Sequence, residues 1–212
     1  TEVAVSNYTA DGLAGTWYDT IWVTDAPKVT SSSRDPDTGE IVGLVGEPLA
    51  LTLNPGRPGV VRYEYTIESE TASVAAGADG SATINWTPSY EGRPDISVVS
   101  VQADGSYSES SSTTIQVTDP RPFVSAFDYN PYYPTGGAGV TDTFLFETRM
   151  TGVVEFVVRL NGGEEIVVPA SGGQGTQVLT PDRAGENVVS AQSRFADGSL
   201  SPAREWTFLV AG

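Results

Sequence analysis

A strand-like pattern at Val60-Val61-Arg62-Tyr63-Glu64-Tyr65-Thr66-Ile67 returns 93 residues later as Val153-Val154-Glu155-Phe156-Val157-Val158-Arg159-Leu160. Val61, Tyr63, Tyr65 and Ile67 align with Val154, Phe156, Val158 and Leu160, so an apolar residue stands at every second position in both copies. This alternation predicts a strand with one face in a core and the other in water, the outer face carrying Arg62, Glu64 and Thr66 in one copy and Glu155, Val157 and Arg159 in the other. A fixed period narrows the folds open to a chain more than any single element does, because each copy must be a unit with the same strand order.

The interval recurs elsewhere. Ala10-Asp11-Gly12, Ala103-Asp104-Gly105 and Ala196-Asp197-Gly198 are spaced by 93 residues and each sits between two strand-like runs. Asp-Gly in that setting is a hairpin signal, since Gly tolerates positive φ and Asp caps the turn locally. Val3 and Val5, Ile96 and Val98, and Val189 and Ala191 take matching inward positions, and Asn7, Ser100 and Ser193 continue the column. Leu51 and Leu53 match Phe144 and Phe146, Gly46 matches Gly139, and Trp86 with Pro88 matches Leu179 with Pro181. For the first complete copy the pattern predicts seven strands, at about 28–33, 47–54, 59–68, 72–76, 81–87, 95–102 and 112–118. No window carries apolar residues at helical spacing over three turns, so the chain reads as all-β. Short strands with turn signals every 8–12 residues predict Greek-key sandwiches. Two are expected in tandem, over 27–119 and 120–212, with residues 1–24 holding the last two strands of a preceding one. The junctions Thr24-Asp25-Ala26-Pro27 and Thr118-Asp119-Pro120-Arg121-Pro122 are short and carry proline, which predicts a semi-rigid array.

A lone two-strand hairpin is marginal in water. Val3, Val5, Ile21 and Val23 would share one uncovered face of it. Two ways of covering that face stay open: five preceding strands of the same polypeptide, or a neighbouring copy in a head-to-tail assembly by strand addition. Trp22, of opposite parity to Ile21 and Val23, points outward in either case and is a candidate contact for a protein partner.

Function classes are bounded by what the composition lacks. There is no His and no Cys, which removes the commonest general base, thiolate nucleophiles and the usual zinc ligands. A glycosidase needs only two carboxyl groups, but of Glu64, Glu68, Glu70, Glu91 and Asp95 most have no acidic counterpart one period on. The expectation is therefore a non-enzyme without a required cofactor. A net charge of −16 repels phosphate, so nucleic acid and anionic membranes are poor partners. No apolar run is long enough for membrane insertion.

Tyr133-Pro134 leading to Gly136-Gly137-Ala138-Gly139-Val140 and Thr143-Phe144-Leu145-Phe146, the Val60 and Val153 strands, Pro181-Asp182-Arg183-Ala184-Gly185 and the Ala-Asp-Gly hairpins together resemble a known family. It is the tandem immunoglobulin-like or fibronectin-type-III-like repeats of secreted or cell-surface bacterial proteins, especially actinobacterial ones. The resemblance spans essentially the whole chain and implies immunoglobulin-like sandwiches in a secreted or cell-surface protein. It further implies a structural spacer or filament subunit, an adhesive module, or an accessory domain of a secreted hydrolase, with no shared active site to carry over. The first complete copy departs from the pattern, with Arg34-Asp35-Pro36-Asp37-Thr38-Gly39-Glu40 in place of the Tyr-Pro segment.

Two loops carry candidate ligand chemistry. Asp35, Asp37 and Glu40 place three carboxylates around one turn, an oxygen-rich arrangement that suits calcium. Phe127-Asp128-Tyr129-Asn130-Pro131-Tyr132-Tyr133-Pro134 is the most aromatic stretch. Phe127, Tyr129, Tyr132 and Tyr133 are candidates to stack on a carbohydrate or anchor a protein, or else to plug the end of the sandwich. Trp206 shares parity with Phe208 and Val210 and is expected in the core, while Gly162-Gly163 and Gly172-Gly173 read as turns.

Overall fold

The computed structural model describes the backbone of residues 2–9, 11–20 and 24–212, and the side chains of Asp11 and residues 24–212. Every regular element among the described residues is a strand. The chain divides into two compact units: Thr1–Val42, Pro48–Trp86 and Arg93–Gln116 form the first, and Gly43–Glu47, Thr87–Gly92 and Val117–Gly212 form the second.

Strands β1 (Glu2–Thr9) and β2 (Gly12–Thr20) form a two-stranded antiparallel sheet of their own. Val5 pairs with Trp17 in this hairpin. In the following repeat Val98 pairs with Ser111, which corresponds to Val5 with Tyr18, so the hairpin register is displaced by one residue.

In the first unit β3 (Lys28–Thr30), β5 (Leu49–Asn54) and β8 (Ala82–Trp86) make a three-stranded sheet in the order β3-β5-β8. The second sheet, which lies in the first unit apart from the last two residues of β4 and of β10, runs β4-β10-β9-β6-β7, built from β4 (Ile41–Leu44), β6 (Val60–Ile67), β7 (Glu70–Ala75), β9 (Asp95–Gln102) and β10 (Ser111–Thr118). In the second unit β11 (Phe123–Ala126), β12 (Asp142–Glu147) and β15 (Gln174–Leu179) form one sheet in that order. The other is β14-β13-β16-β17, from β13 (Val153–Leu160), β14 (Ile166–Pro169), β16 (Gly185–Phe195) and β17 (Arg204–Val210). Leu51, Leu53, Tyr63, Ile96, Val98 and Ile115 fill the first core, and Phe144, Phe146, Phe156, Val158, Val189 and Phe208 the second. A three-stranded sheet facing a four- or five-stranded one around such a core is an immunoglobulin-like sandwich.

The same hydrogen bonds recur at the 93-residue interval. Gly46 N donates to Pro88 O at 2.9 Å, and Gly139 N to Pro181 O at 2.7 Å. Asp104 and Asp197 each accept at Oδ1 from the amide two residues on, of Ser106 and Ser199, both at 2.9 Å. The expected small polar positions Ser100 and Ser193 are fully buried. Each gives its amide to the hydroxyl of a serine eight residues later, Ser108 and Ser201, at 2.9 Å. Those two hydroxyls in turn donate to the carbonyls of Glu109 and Pro202, at 2.8 and 3.0 Å. Period and alternation do not reveal this latch, because its two serines lie on either side of the hairpin.

Three expectations need correcting. Val61 and Val154 are 43% and 46% exposed, and Val60 and Val153 take their inner places. The cause is a bulge at the start of each strand, between Val60 and Arg62 and between Val153 and Glu155, which inserts a residue and reverses the alternation upstream of it. Val157, of outer parity, is buried beside Val167 and Gln192 on the neighbouring strands. Finally, the first unit has an extra strand, β4, against β10, where a loop is expected after the first strand. The corresponding stretch of the second unit, at Thr135, makes only isolated bridging contacts with β17.

Candidate functional site

The aromatic stretch of the second unit is held by a buried carboxylate. Asp142, at the start of β12, accepts at Oδ2 from the amides of Asp128 (2.8 Å) and Tyr129 (3.0 Å), and at Oδ1 from the amide of Thr143 (2.6 Å). Three backbone donors satisfy it without a cationic partner, as burial of a charged group demands. Its counterpart in the first unit is Leu49, so this anchor belongs to the second unit alone.

Tyr129 is not a surface residue. It is 2% exposed, with its ring centroid 5.1 Å from that of Phe208 and 6.3 Å from that of Phe144. Its hydroxyl donates toward the carbonyls of Gly137 and Val140, at 3.1 and 2.9 Å. A Cβ at Gly136 would stand 2.6 Å from the tyrosine ring, and Gly136 also has φ of +61°, so only glycine lets the loop close over this plug. Trp206, half-buried, stacks on Phe208 at 5.4 Å and packs against the same core.

Phe127, Tyr132 and Tyr133 lie on the outside of the loop, 79%, 84% and 62% exposed. The backbone that carries them is tied down at several points. Asn130 Oδ1 accepts from the amides of Tyr132 and Tyr133, both at 3.0 Å, and Thr135 Oγ1 donates to Asp128 O at 2.8 Å. Leu209 N donates to Asn130 O at 3.1 Å and Ala211 N to Thr135 O at 3.0 Å, which fastens the loop along the edge of β17. The result is three large exposed aromatic surfaces on a backbone held in place by hydrogen bonds.

The acidic turn of the first unit is differently employed. Asp35 Oδ1 accepts from Asp37 N (3.0 Å), Thr38 N (2.8 Å) and Thr38 Oγ1 (3.0 Å), and these bonds with Thr38 and Asp37 hold its carboxyl below the usual range. Glu40 pairs with Arg93 at 2.6 Å. Asp35, Asp37 and Glu40 are not brought together as a ligand set, and no group of three acidic side chains among the described residues is placed to hold a metal ion.

Three of the dispersed carboxylates, Glu64, Asp95 and Glu91, are likewise engaged in hydrogen bonds or ion pairs. Glu64 accepts from Arg62 at 2.7 Å and from Tyr107 at 3.2 Å, and the Arg62 bond leads in holding its pKa down, the reverse of what a general acid requires. Asp95 accepts from Thr114 Oγ1 at 2.5 Å, and Glu91 pairs with Arg149. Trp22, Ile21 and Val23 lie outside the described residues. Val3 and Val5 sit on β1, but their side chains too lie outside them.

A feature that the repeat pattern does not reveal is an open cleft of about 400 Å³ in the second unit, lined by Asp119, Arg121, Phe123, Arg149, Gln174 and Arg204 among others. Its charges are mutually paired. Asp119 accepts from Arg121 at 2.8 Å and from Arg204 at 2.6 Å, and Gln174 donates to Glu147 at 2.5 Å.

No family model matches the sequence, and no curated protein matches it. Solved structures do align with it at low identity. The fibronectin(III)-like modules of Clostridium thermocellum CbhA are 18% identical with a TM-score of 0.34, covering 87% of this chain and 94% of that one. The D00-D0 domain of intimin is 13% identical with a TM-score of 0.44, covering 88% of this chain and all of that one. A Ca2+-stabilized adhesin of an Antarctic bacterium is 15% identical with a TM-score of 0.35, covering 99% of this chain and 56% of that one. The sheet order and register of this chain are themselves those of an immunoglobulin-like sandwich.

Proposed function

We propose that this chain is a non-enzymatic structural module of a secreted or cell-surface protein of bacterial type, a spacer made of tandem immunoglobulin-like sandwiches. The domains are residues 27–119 and 120–212, with the last two strands of another unit at 1–24. The observation that carries this reading is the reuse of one hydrogen-bonded skeleton 93 residues apart, from the Gly46 and Gly139 turns to the Ser108 and Ser201 latches. Repetition of a whole scaffold, with side chains free to differ between copies, suits a chain whose task is length and spacing. Stretching single molecules in a force spectrometer checks it. Two separate unfolding events are expected, each lengthening the chain by about 300 Å, the reach of some ~90 residues at ~3.3–3.6 Å apiece. One event releasing both units together would overturn this organisation.

A second reading, an adhesive module, is favoured by the outward aromatics on the anchored loop. Phe127, Tyr132 and Tyr133 offer ring faces to a neutral sugar or a protein surface, while the acidic surface disfavours anionic glycans. Binding on a glycan array that disappears in the Tyr132→Ala, Tyr133→Ala variant is the expected result. Equal absence of binding by both proteins removes carbohydrate from the reading.

A further inference from the structure

We propose that Asn161 is a latent deamidation site that the native fold of the second unit holds shut. Asn161-Gly162 is the one Asn-Gly pair in the sequence, at the turn between β13 and β14. Asn-Gly is chemically labile because the amide nitrogen of an unhindered glycine attacks the preceding side-chain Cγ. A C–N bond forms to give a succinimide, the Cγ–Nδ2 bond breaks and ammonia leaves. Water then opens the ring to aspartate or isoaspartate, with no oxidation or reduction.

In the folded unit the amide that must react is bonded at both Oδ1 and Nδ2 to β16 and to the loop before it. Asn161 Oδ1 accepts from Val188 N at 2.9 Å and from Arg183 Nη2 at 3.3 Å. Asn161 Nδ2 donates to Asn187 Oδ1 at 2.7 Å. Asn187 is fully buried, and its own Nδ2 donates to the carbonyls of Arg183 and Gly185, both at 3.1 Å. The backbone is held as well, with Asn161 N donating to Val188 O at 2.8 Å and positive φ at both Asn161 (52°) and Gly162 (70°). Cyclisation therefore waits for the turn to open. Once it occurs, the latch cannot re-form, because the product presents a carboxylate oxygen where Nδ2 donated, against the buried acceptor Asn187 Oδ1. Isoaspartate also adds a backbone carbon to the tight turn that the Gly163 N to Leu160 O bond closes at 2.8 Å. The Asn161 amide thus ties this turn to Val188 and Asn187, and its conversion is an irreversible mark that the turn has been open.

The test is peptide mass spectrometry after incubation at mildly alkaline pH. Trypsin releases residues 160–183, in which Asn161 is the only asparagine. The full chain is compared native, in concentrated urea, and as the Asn187→Ala variant. Conversion in urea is expected to be at least tenfold faster than in the native chain, with folded Asn187→Ala in between. Gly162→Ala, which hinders the attacking nitrogen, is expected to slow conversion in urea even if its positive φ weakens the fold. Equal rates for native and unfolded chain, or no conversion in urea, would overturn the proposal.

Discussion

Glu68 and Ser69 form the turn between β6 and β7 with φ of 52° and 79°, the region that costs a residue with a side chain about 1–2 kcal/mol. The matching turn of the second unit is Asn161-Gly162, the residue types that a two-residue hairpin prefers. Glu68 also buries Oε1 without a partner. Replacing Glu68 and Ser69 by Asn and Gly is expected to stabilise the first unit by about 1 kcal/mol in urea denaturation. No gain would mean that the strained turn is supported by contacts of the native side chains. A second residue-scale test uses Asp119. Burial alone would raise its carboxyl, but its bonds to the Arg121 side chain and amide and the charge of Arg204 more than offset this and lower its pKa. A depressed folded pKa contributes stability that is present above the ordinary carboxylate range, near pH 4, and is lost as the pH falls through the folded value. Asp119→Asn should therefore be less stable than the parent at pH 7, with the difference closing as the pH drops below about 4. A difference independent of pH would exclude the ionised carboxylate as its source.

At the scale of the element, the bulges in β6 and β13 decide which side chains matter. Threonine at Val61 or Val154 is expected to change stability by under ~0.5 kcal/mol, because both side chains face water, whereas Phe156→Ala should cost about 3–5 kcal/mol. A large loss at Val154 would contradict the bulged register. Most strands and the residues Leu51, Leu53, Phe144, Phe146, Ile96 and Val98 of the cores were legible from alternation and period. The bulges were not, since Val-Val offers an apolar side chain to either face, and the choice is made by pairing with β9 and β16. The edge strand β4 was hidden for a related reason: Ile41-Val42-Gly43-Leu44 is too short to show a period, and its pairing partner β10 lies about seventy residues on. In the candidate site the sequence marked the loop correctly as aromatic, but not which rings point out. Tyr129 is drawn inward by Asp142, thirteen residues away, and by the space that Gly136 leaves for it.

For the whole molecule, a net charge of −16 with eleven basic residues means that long-range repulsion exceeds what the local ion pairs remove. Screening should then stabilise: raising salt from about 10 mM to about 150 mM, which shortens the Debye length to ~8 Å, is expected to raise Tm. A fall in Tm would show that pairs such as Asp25 with Arg57 and Asp119 with Arg204 outweigh the repulsion. The sequence by itself determined that the chain is all-β, that its scaffold repeats every 93 residues, and that histidine and cysteine chemistry is absent, because period, turn residues and composition act locally and survive reading in one dimension. Only the tertiary structure decided that Val60 replaces Val61 in the core, that Tyr129 plugs the sandwich while Phe127, Tyr132 and Tyr133 face out, and that Asn161 is locked by Asn187. Each of those outcomes depends on a hydrogen-bond partner or a packing space supplied by a distant part of the chain, and that information exists only once the sheets have closed around their cores.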